Sequence, residues 1–369
     1  MKLTATSKWA KLDWGIIVCS AILILISLAT LYSLELNQAS PDYALLKHQA
    51  LAAVIGAGLL IFLVFIDFRF FKDYAYFLYL LGCLMLVLVL IFGVKINNTT
   101  GWFSIANFTF QPVELFKIIL IIALAKFYSS VRDVNDPWTL IKAVSFLVIP
   151  IVLVYLQPDL GSLIVLIVIW FSMLFVMKLR SLYIIFAIAG VIITSVFAWQ
   201  FMLAPYQKER VSSFWSSFVN PAATSYHVQQ SRIAIGSGRL WGRGLGLGTQ
   251  SSLNFLPEQE TDFIFAVISE SLGFLGGSLV IVIYAFLLFR ILNLTKKMKD
   301  EFATLLAVGI FSWFAFQGLA NIAMNLGLAP VFGVPLPFLS YGGSSLLVGM
   351  IAIGLLESAS LYSLWETEK

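Results

Sequence analysis

The side chains of this chain that could do chemistry sit in a few short stretches, and the most concentrated runs from Leu256 to Asp262. Glu258, Glu260 and Asp262 crowd together there, just ahead of the apolar run that opens Phe263-Ile264-Phe265. Carboxylates this close raise the pKa of at least one member or recruit a cation. A carboxylate tuned that way at a cavity mouth can take a hydroxyl proton as general base. The plainer reading is that Thr261 or Asp262 merely caps the helix that follows. A second stretch is Gln111-Pro112-Val113-Glu114-Leu115-Phe116-Lys117. Pro112 suits a first helical turn, and Gln111, Glu114 and Lys117 then share one face. Glu114 and Lys117 can pair, as a structural ion pair or as part of a polar cavity. Upstream, Trp102 reads as an aromatic belt residue of a membrane interface. Asp159, in Gln157-Pro158-Asp159, falls where it complements a helix dipole.

Further stretches are more ambiguous. Tyr206 to Arg210 is followed by the glycine-rich run Gly236 to Gly248, which holds Arg239 and Arg243. Its spacing fits neither G-x-G-x-x-G nor a Walker loop. Backbone N–H groups and guanidinium groups there could wrap phosphate oxygens, or the run is a flexible loop that repacks on the helices. Pro335 to Ser345, which includes Ser340, reads as unwound backbone. At membrane depth such backbone must line a cavity or lie buried in protein. Gly273 and Gly277 form a G-x-x-x-G, read as a packing device. Glu270 then lies deeper in the helix that Asp262 precedes. Cys19 and Cys83 sit in apolar runs and do not read as a disulfide or a metal pair. His48 and His227 are far apart, which argues against structural zinc.

The elements that must position these groups are membrane helices. Of 369 residues, 60% are hydrophobic and 11% charged, against about 25% charged in soluble domains. The mean hydropathy is +0.95. This composition excludes a disordered chain, a nucleic-acid-binding domain and a disulfide-rich secreted module. Apolar runs predict spans over Trp14–Leu34, Gln49–Ile66, Tyr74–Val94, Pro112–Ala125, Trp138–Leu156, Leu160–Met177, Ser181–Pro205 and Phe263–Phe289. Phe302 to Leu356 carries no charged residue and is too long for one crossing. Pro330, Pro335 and Pro337 divide it into two helices. The expected fold is all-α: one polytopic membrane domain over residues 1–369 with about ten transmembrane helices. The first span is too long for a signal peptide and reads as uncleaved. With the amino terminus inside, most Lys and Arg fall in inside segments, from Lys2, Lys8 and Lys11 through Lys178 to Lys296, Lys297, Lys299 and Lys369. Both termini are then cytoplasmic. Residues 206–261, with Asn220-Pro221, form a large external loop between spans seven and eight.

These motifs together resemble the SEDS family (shape, elongation, division and sporulation proteins). The most specific piece runs from Asn321 to Ser345: Gly327-Leu328-Ala329-Pro330, Gly333-Val334-Pro335-Leu336-Pro337-Phe338 and Ser340-Tyr341-Gly342-Gly343-Ser344-Ser345. Gln111-Pro112-x-Glu114-x-x-Lys117, Gln157-Pro158-Asp159-Leu160-Gly161 and Leu256-Pro257-Glu258 with Thr261 to Phe265 match in order. Asp13-Trp14 and Leu160 look more like the elongation branch than the division branch. Val113 stands where Ser is usual, and Arg243 where Lys is commoner.

The resemblance implies a peptidoglycan glycosyltransferase. Such an enzyme polymerises lipid II into glycan strands at the outer face of the bacterial inner membrane, in complex with a class B penicillin-binding protein and other elongation proteins. The family's essential acid maps onto Asp262. Trp102, Glu114 and Lys117 match positions that line its cavity. Asp159, Arg210, Arg243, Glu258 and Ser340 are further candidates for binding substrate, with Lys117, Arg210 or Arg243 stabilising the leaving diphosphate. No cofactor is required by the sequence, although Mg²⁺ or Mn²⁺ is compatible with the acidic cluster. A lipid II flippase and a non-catalytic scaffold are the rival readings. A flippase needs an inner-facing polar path, and the inner loops look merely basic.

Overall fold

The computed structural model describes residues 11–36, 42–96, 99–105, 108–177, 179–219, 225–253 and 255–365. Lys2, Lys8, Lys178, Asn220, Pro221 and Lys369, named above, lie outside the described residues. In chain order the elements begin α1 (Trp14–Glu35), α2 (Ala44–Phe65), α3 (Arg69–Asp73), α4 (Ala75–Phe92), β1 (Val94–Ile96), β2 (Thr99–Ile105) and β3 (Phe108–Phe110). Next come α5 (Pro112–Ser130), α6 (Pro137–Tyr155), α7 (Leu160–Val176), α8 (Ser181–Phe197) with a π-helical turn over Ala198–Met202, α9 (Pro205–Val219) and α10 (Tyr226–Ser237). The chain closes with α11 (Thr249–Ser252), α12 (Ile264–Thr295), α13 (Glu301–Asn325) and α14 (Gly343–Trp365).

The apolar runs named from the sequence are mostly helical, and among the described residues eight helices are long and apolar enough to cross a bilayer. The protein is an all-α, polytopic membrane protein. The expected ten crossings require α7, apolar but only 17 residues long, and α5, which carries Glu114, Lys117 and Lys126, to cross as well. The strands form one small three-stranded antiparallel sheet that the sequence reading did not anticipate. It pairs Trp102 with Val94 and delivers the chain to Pro112 at the start of α5.

The centre of the bundle is α5, whose residues Ile118 to Ala125 are all buried. A helix apolar all round belongs in a core. α5 packs on α4, α7, α13 and α14, while α14 also packs on α2. Outer helices expose Leu25, Val54, Phe62, Leu80 and Ile149, as lipid-facing surfaces do. α8 has no buried residue. Asp13, Asp136, Asp159 and Asp300 start α1, α6, α7 and α13, each accepting a first-turn N–H on its side chain. Cys19 and Cys83 are both free thiols.

The helix expected over Phe263–Phe289 is not continuous. Gly273 has φ 69° and ψ −166°, which breaks α12 into a half-helix before it and a longer helix after it. This corrects the reading of Gly273 as a packing glycine, because positive φ at this residue is the reason for glycine. The glycine-rich run of the long loop repairs the break. Phe274 N–H donates to the Arg239 carbonyl at 2.7 Å and Leu275 N–H to the Leu240 carbonyl at 3.2 Å. In return, Arg243 N–H donates to the Glu270 carbonyl and Gly244 N–H to the Ser271 carbonyl, both at 3.0 Å. These bonds replace the ladder partners lost at the break. Of the two readings of this run, the structure takes the second: these loop amides repack on a helix and bond protein carbonyls. Glu270 is fully buried, and its carboxylate accepts Gln250 N–H at 2.9 Å and Ser251 N–H at 3.1 Å. The half-helix packs against α10 of the loop, with Ala234, Leu256, Phe263, Ala266 and Val267 as a small core of their own.

Candidate functional site

A cavity of about 470 Å³ opens where α5, α7, α9, the segment before α12 and the segment before α14 converge. Its walls include Trp102, Gln111, Glu114, Asp159, Arg210, Glu258 and Asp262. Residues far apart in sequence thus meet at one place. Gly161 lets α7 approach the segment that carries Gly333. A Cβ on Gly161 would lie 2.6 Å from the Phe332 carbonyl oxygen and 2.9 Å from that of Gly333.

Asp262 precedes Phe263, the N-cap residue of α12, which makes no side-chain capping bond. Neither Thr261 nor Asp262 caps this helix, so that reading of the sequence is corrected. Thr261 Oγ1 donates instead to the Glu258 carboxylate at 3.0 Å. Among the described residues none donates a hydrogen bond to the Asp262 carboxylate. Burial and the nearby Glu258 charge push its pKa up to about 6, with Arg210 opposing and Asp159 adding a smaller upward push. Burial also raises Glu260, again with a push from Glu258. A point 3.7 Å from Asp262 Oδ2 lies 3.5 Å from Arg210 Nη1, at the place a Cβ of Gly333 would occupy. Carboxylate and guanidinium therefore face a common spot, one able to take a proton and the other to hold an anion.

The backbone of the Asp262 segment is held rigidly. Ser340 is buried, and its hydroxyl donates to the Thr261 carbonyl at 2.6 Å while accepting Leu336 N–H at 2.8 Å. Tyr341 N–H donates to the Glu260 carbonyl at 2.8 Å. Asn321 and Asn325 both donate from Nδ2 to the Asp262 carbonyl at 3.0 Å. Three successive carbonyls are thus pinned by α13 and the segment before α14. Sequence reasoning passed over Asn325. Its signal was a pair of carboxamides four residues apart on the charge-free run after Phe302, a spacing that puts both on one helix face.

Across the cavity, Asp159 is fully engaged. Its carboxylate accepts Ser162 N–H at 3.0 Å, Ser162 Oγ–H at 2.7 Å and Gln111 Nε2–H at 3.1 Å. Glu114 pairs with Lys117 at 2.7 Å. Lys117 has no exposed surface and lies 5.4 Å from the centre of the Trp313 ring. The cavity therefore meets Glu114, with Lys117 behind it. Oε2 of Glu114 is buried without a hydrogen-bond partner among the described residues.

Of the candidates named from the sequence, the structure brings together Asp262, Trp102, Glu114, Asp159, Arg210 and Glu258 at the cavity wall. Lys117 and Ser340 lie directly behind it. Arg243 does not join them: it is exposed on the glycine loop, with Nε donating to the Ser237 carbonyl at 3.1 Å. Its place is fixed by the helix break, not by the cavity. Among the described residues no three His, Cys, Asp or Glu side chains gather closely enough to hold a metal ion.

The fold and site define a class: a polytopic membrane protein with a cavity lined by several carboxylates, among them Asp262, whose pKa burial raises. Comparison with known proteins supplies the family. Residues 11–364 match the model for the "Cell cycle protein" family of FtsW, RodA and SpoVE. The chain is 34% identical to stage V sporulation protein E of Bacillus subtilis, over 97% of this chain and 99% of that one. It is 35% identical to the peptidoglycan glycosyltransferase MrdB of Escherichia coli K12, over 91% of each. A chain of the solved structure titled "Structural coordination of polymerization and crosslinking by a peptidoglycan synthase complex" superposes with a TM-score of 0.79 at 29% identity, covering 95% of this chain and 98% of that one. The chain belongs to the FtsW/RodA/SpoVE family, also called SEDS.

Proposed function

We propose that this protein is a peptidoglycan glycosyltransferase that polymerises lipid II at the outer face of the bacterial inner membrane. The observation that carries the reading is Asp262, a carboxylate whose pKa is pushed up to about 6, facing a common spot in the cavity with Arg210. Asp262 takes the proton of a sugar hydroxyl on the acceptor. The freed oxygen attacks the anomeric carbon of the donor, and the bond from that carbon to the diphosphate breaks. The diphosphate leaves with the electron pair, and Arg210 stabilises its charge. One displacement turns an α-linked donor into a β-linked product, so the reaction inverts. A retaining route needs a second carboxylate placed as nucleophile. Asp159 is committed to α7, Glu114 to Lys117, and Glu258 accepts from Thr261, so the basic role goes to Asp262.

The partner in this reading is a class B penicillin-binding protein that crosslinks the strands, because the structural relative was solved in a synthase complex. We assign the protein to cell elongation on Asp13-Trp14 and Leu160. The sporulation-named and MrdB relatives are similarly close in identity, so depletion in the native cell is the test of that assignment. Rounded cells support elongation; filaments or blocked spores overturn it. The test of the chemistry is a gel assay of purified protein with its partner and labelled lipid II. A glycan ladder is expected from wild type and none from Asp262→Asn. A full ladder from Asp262→Asn overturns the assignment, and no ladder from wild type moves the question to lipid II translocation in liposomes.

A further inference from the structure

We propose that Asn325 caps α12 from the neighbouring helix α13 and thereby keeps the Asp262 carboxylate out of the helix and in the cavity. This inference rests on the reading of Asp262 as general base. The first N–H groups of a helix need acceptors, and the N-cap side chain normally supplies one to the third helical residue. In α12 the N-cap is Phe263, which has no acceptor, and the third residue is Ala266. Ala266 N–H is shared between the Phe263 carbonyl at 3.0 Å and Asn325 Oδ1 at 3.1 Å. The same carboxamide donates from Nδ2 to the Asp262 carbonyl at 3.0 Å. One side chain thus fills the gap between the Asp262 carbonyl and the Ala266 amide, as a peptide group would.

Asn325 is itself held. It is fully buried, Nδ2 also reaches the Asn321 carbonyl at 2.9 Å, and Ser231 of α10 donates to its backbone carbonyl at 2.8 Å. Asn321 shares the Asp262 carbonyl and ties it to Val334. Without Asn325, the Ala266 amide keeps only the Phe263 carbonyl, and the side-chain acceptor nearest in sequence to the first-turn amides is the Asp262 carboxylate, one residue ahead of Phe263. Helix amides bonded to a carboxylate favour its charged form and lower its pKa, which weakens it as a base and turns it from the cavity. Asn325 is therefore a positioning residue.

The charged groups that bear on the titration of Asp262 are Glu258 of its own segment, Arg210 from α9 and Asp159 from α7; Glu260, His227 from α10 and Tyr341 before α14 are titratable groups coupled to members of that cluster. The experiment compares wild type, Asn325→Leu, Asn325→Asp and Asp262→Asn in complex with the partner. It measures lipid II polymerisation rates from pH 5 to pH 8 and thermal unfolding in detergent. Asn325→Leu is expected to lower kcat at least about tenfold with KM little changed. Its acid limb should move below that of wild type, which is expected near pH 6. Asn325→Asp keeps an acceptor for Ala266, so its acid limb does not move down. A merely structural role lowers the melting temperature and the active fraction and leaves the limb in place; that outcome, or an unchanged kcat in Asn325→Leu, overturns the inference. If Asn325→Leu does not fold, a downward limb in Asn325→Asp overturns it. Activity in Asp262→Asn instead overturns the underlying reading of Asp262, independently of Asn325.

Discussion

Two helices reach the cavity with an aspartate at or beside their first turn, and they use it in opposite ways. α7 spends Asp159 on its own amide and hydroxyl at Ser162 and on Gln111. α12 leaves the Asp262 carboxylate without a hydrogen-bond donor among the described residues and takes its cap from Asn325. Asp13, Asp136 and Asp300 follow the α7 pattern. An acid at a helix start is thus structural by default, and becomes chemically available when another chain segment satisfies the amides. Glu114 shows a third use, in which a buried cation neutralises the carboxylate.

The largest expected contrast is in rate. Asp262→Asn removes the proton acceptor and should cost about 10²–10⁴ in polymerisation, with melting temperature unchanged. Asp159→Asn keeps one acceptor oxygen for Ser162 and should retain most of the rate. Equal loss in both variants, read from initial rates, breaks the distinction between the two aspartates. Next in size is the pair behind the wall. Lys117→Met leaves the buried Glu114 unpaired and should destabilise the fold by about 3 kcal/mol or more. Adding Glu114→Gln should recover much of that stability. An unaltered melting temperature in Lys117→Met would show that the pair is not the buried ion pair described here.

The sequence carried the scaffold and much of the cavity, for identifiable reasons. Apolar runs mark helices because a membrane helix must be apolar along its length, and the prolines after Ala329 divide the last long run. Glu114 and Lys117 are three residues apart, so their pairing follows from helix geometry. Asp262 stood out by its acidic neighbours and by resemblance to a family. The break at Gly273 stayed hidden because a glycine at G-x-x-x-G spacing reads the same whether it packs or bends. Its repair comes from the loop at Arg239 to Gly244, distant in sequence. The Asn325 cap joins residues 59 apart, and no local pattern encodes that partnership. Arg243 misled because an arginine among glycines matches an anion loop by composition, whereas the amides around it are consumed by α12.

A smaller effect tests the α7 side alone. Asp159→Ala removes the cap and the Gln111 contact and should cost about 1 kcal/mol, read as a modest drop in melting temperature. Polymerisation should persist at a reduced rate, since the cavity wall loosens without losing its base. A loss of stability several times larger would mean that Asp159 holds the wall together rather than one helix end.

The smallest effect is a set of opposed shifts in the pH profile, and it probes the surroundings of Asp262 most directly. The base must be deprotonated to accept a proton, so kcat/KM falls as pH drops through about 6. The Glu258 charge raises the Asp262 pKa, and the Asp159 charge does so less. Glu258→Gln should therefore move the acid limb to lower pH, and Asp159→Asn should move it the same way by a smaller amount. Arg210 lowers the Asp262 pKa, so Arg210→Met should move the limb upward while also slowing departure of the diphosphate. Opposite signs for Glu258 and Arg210 on one limb identify a single titrating group between them. A limb that ignores both substitutions belongs to some other residue, and Asp262 then loses its distinction from Asp159.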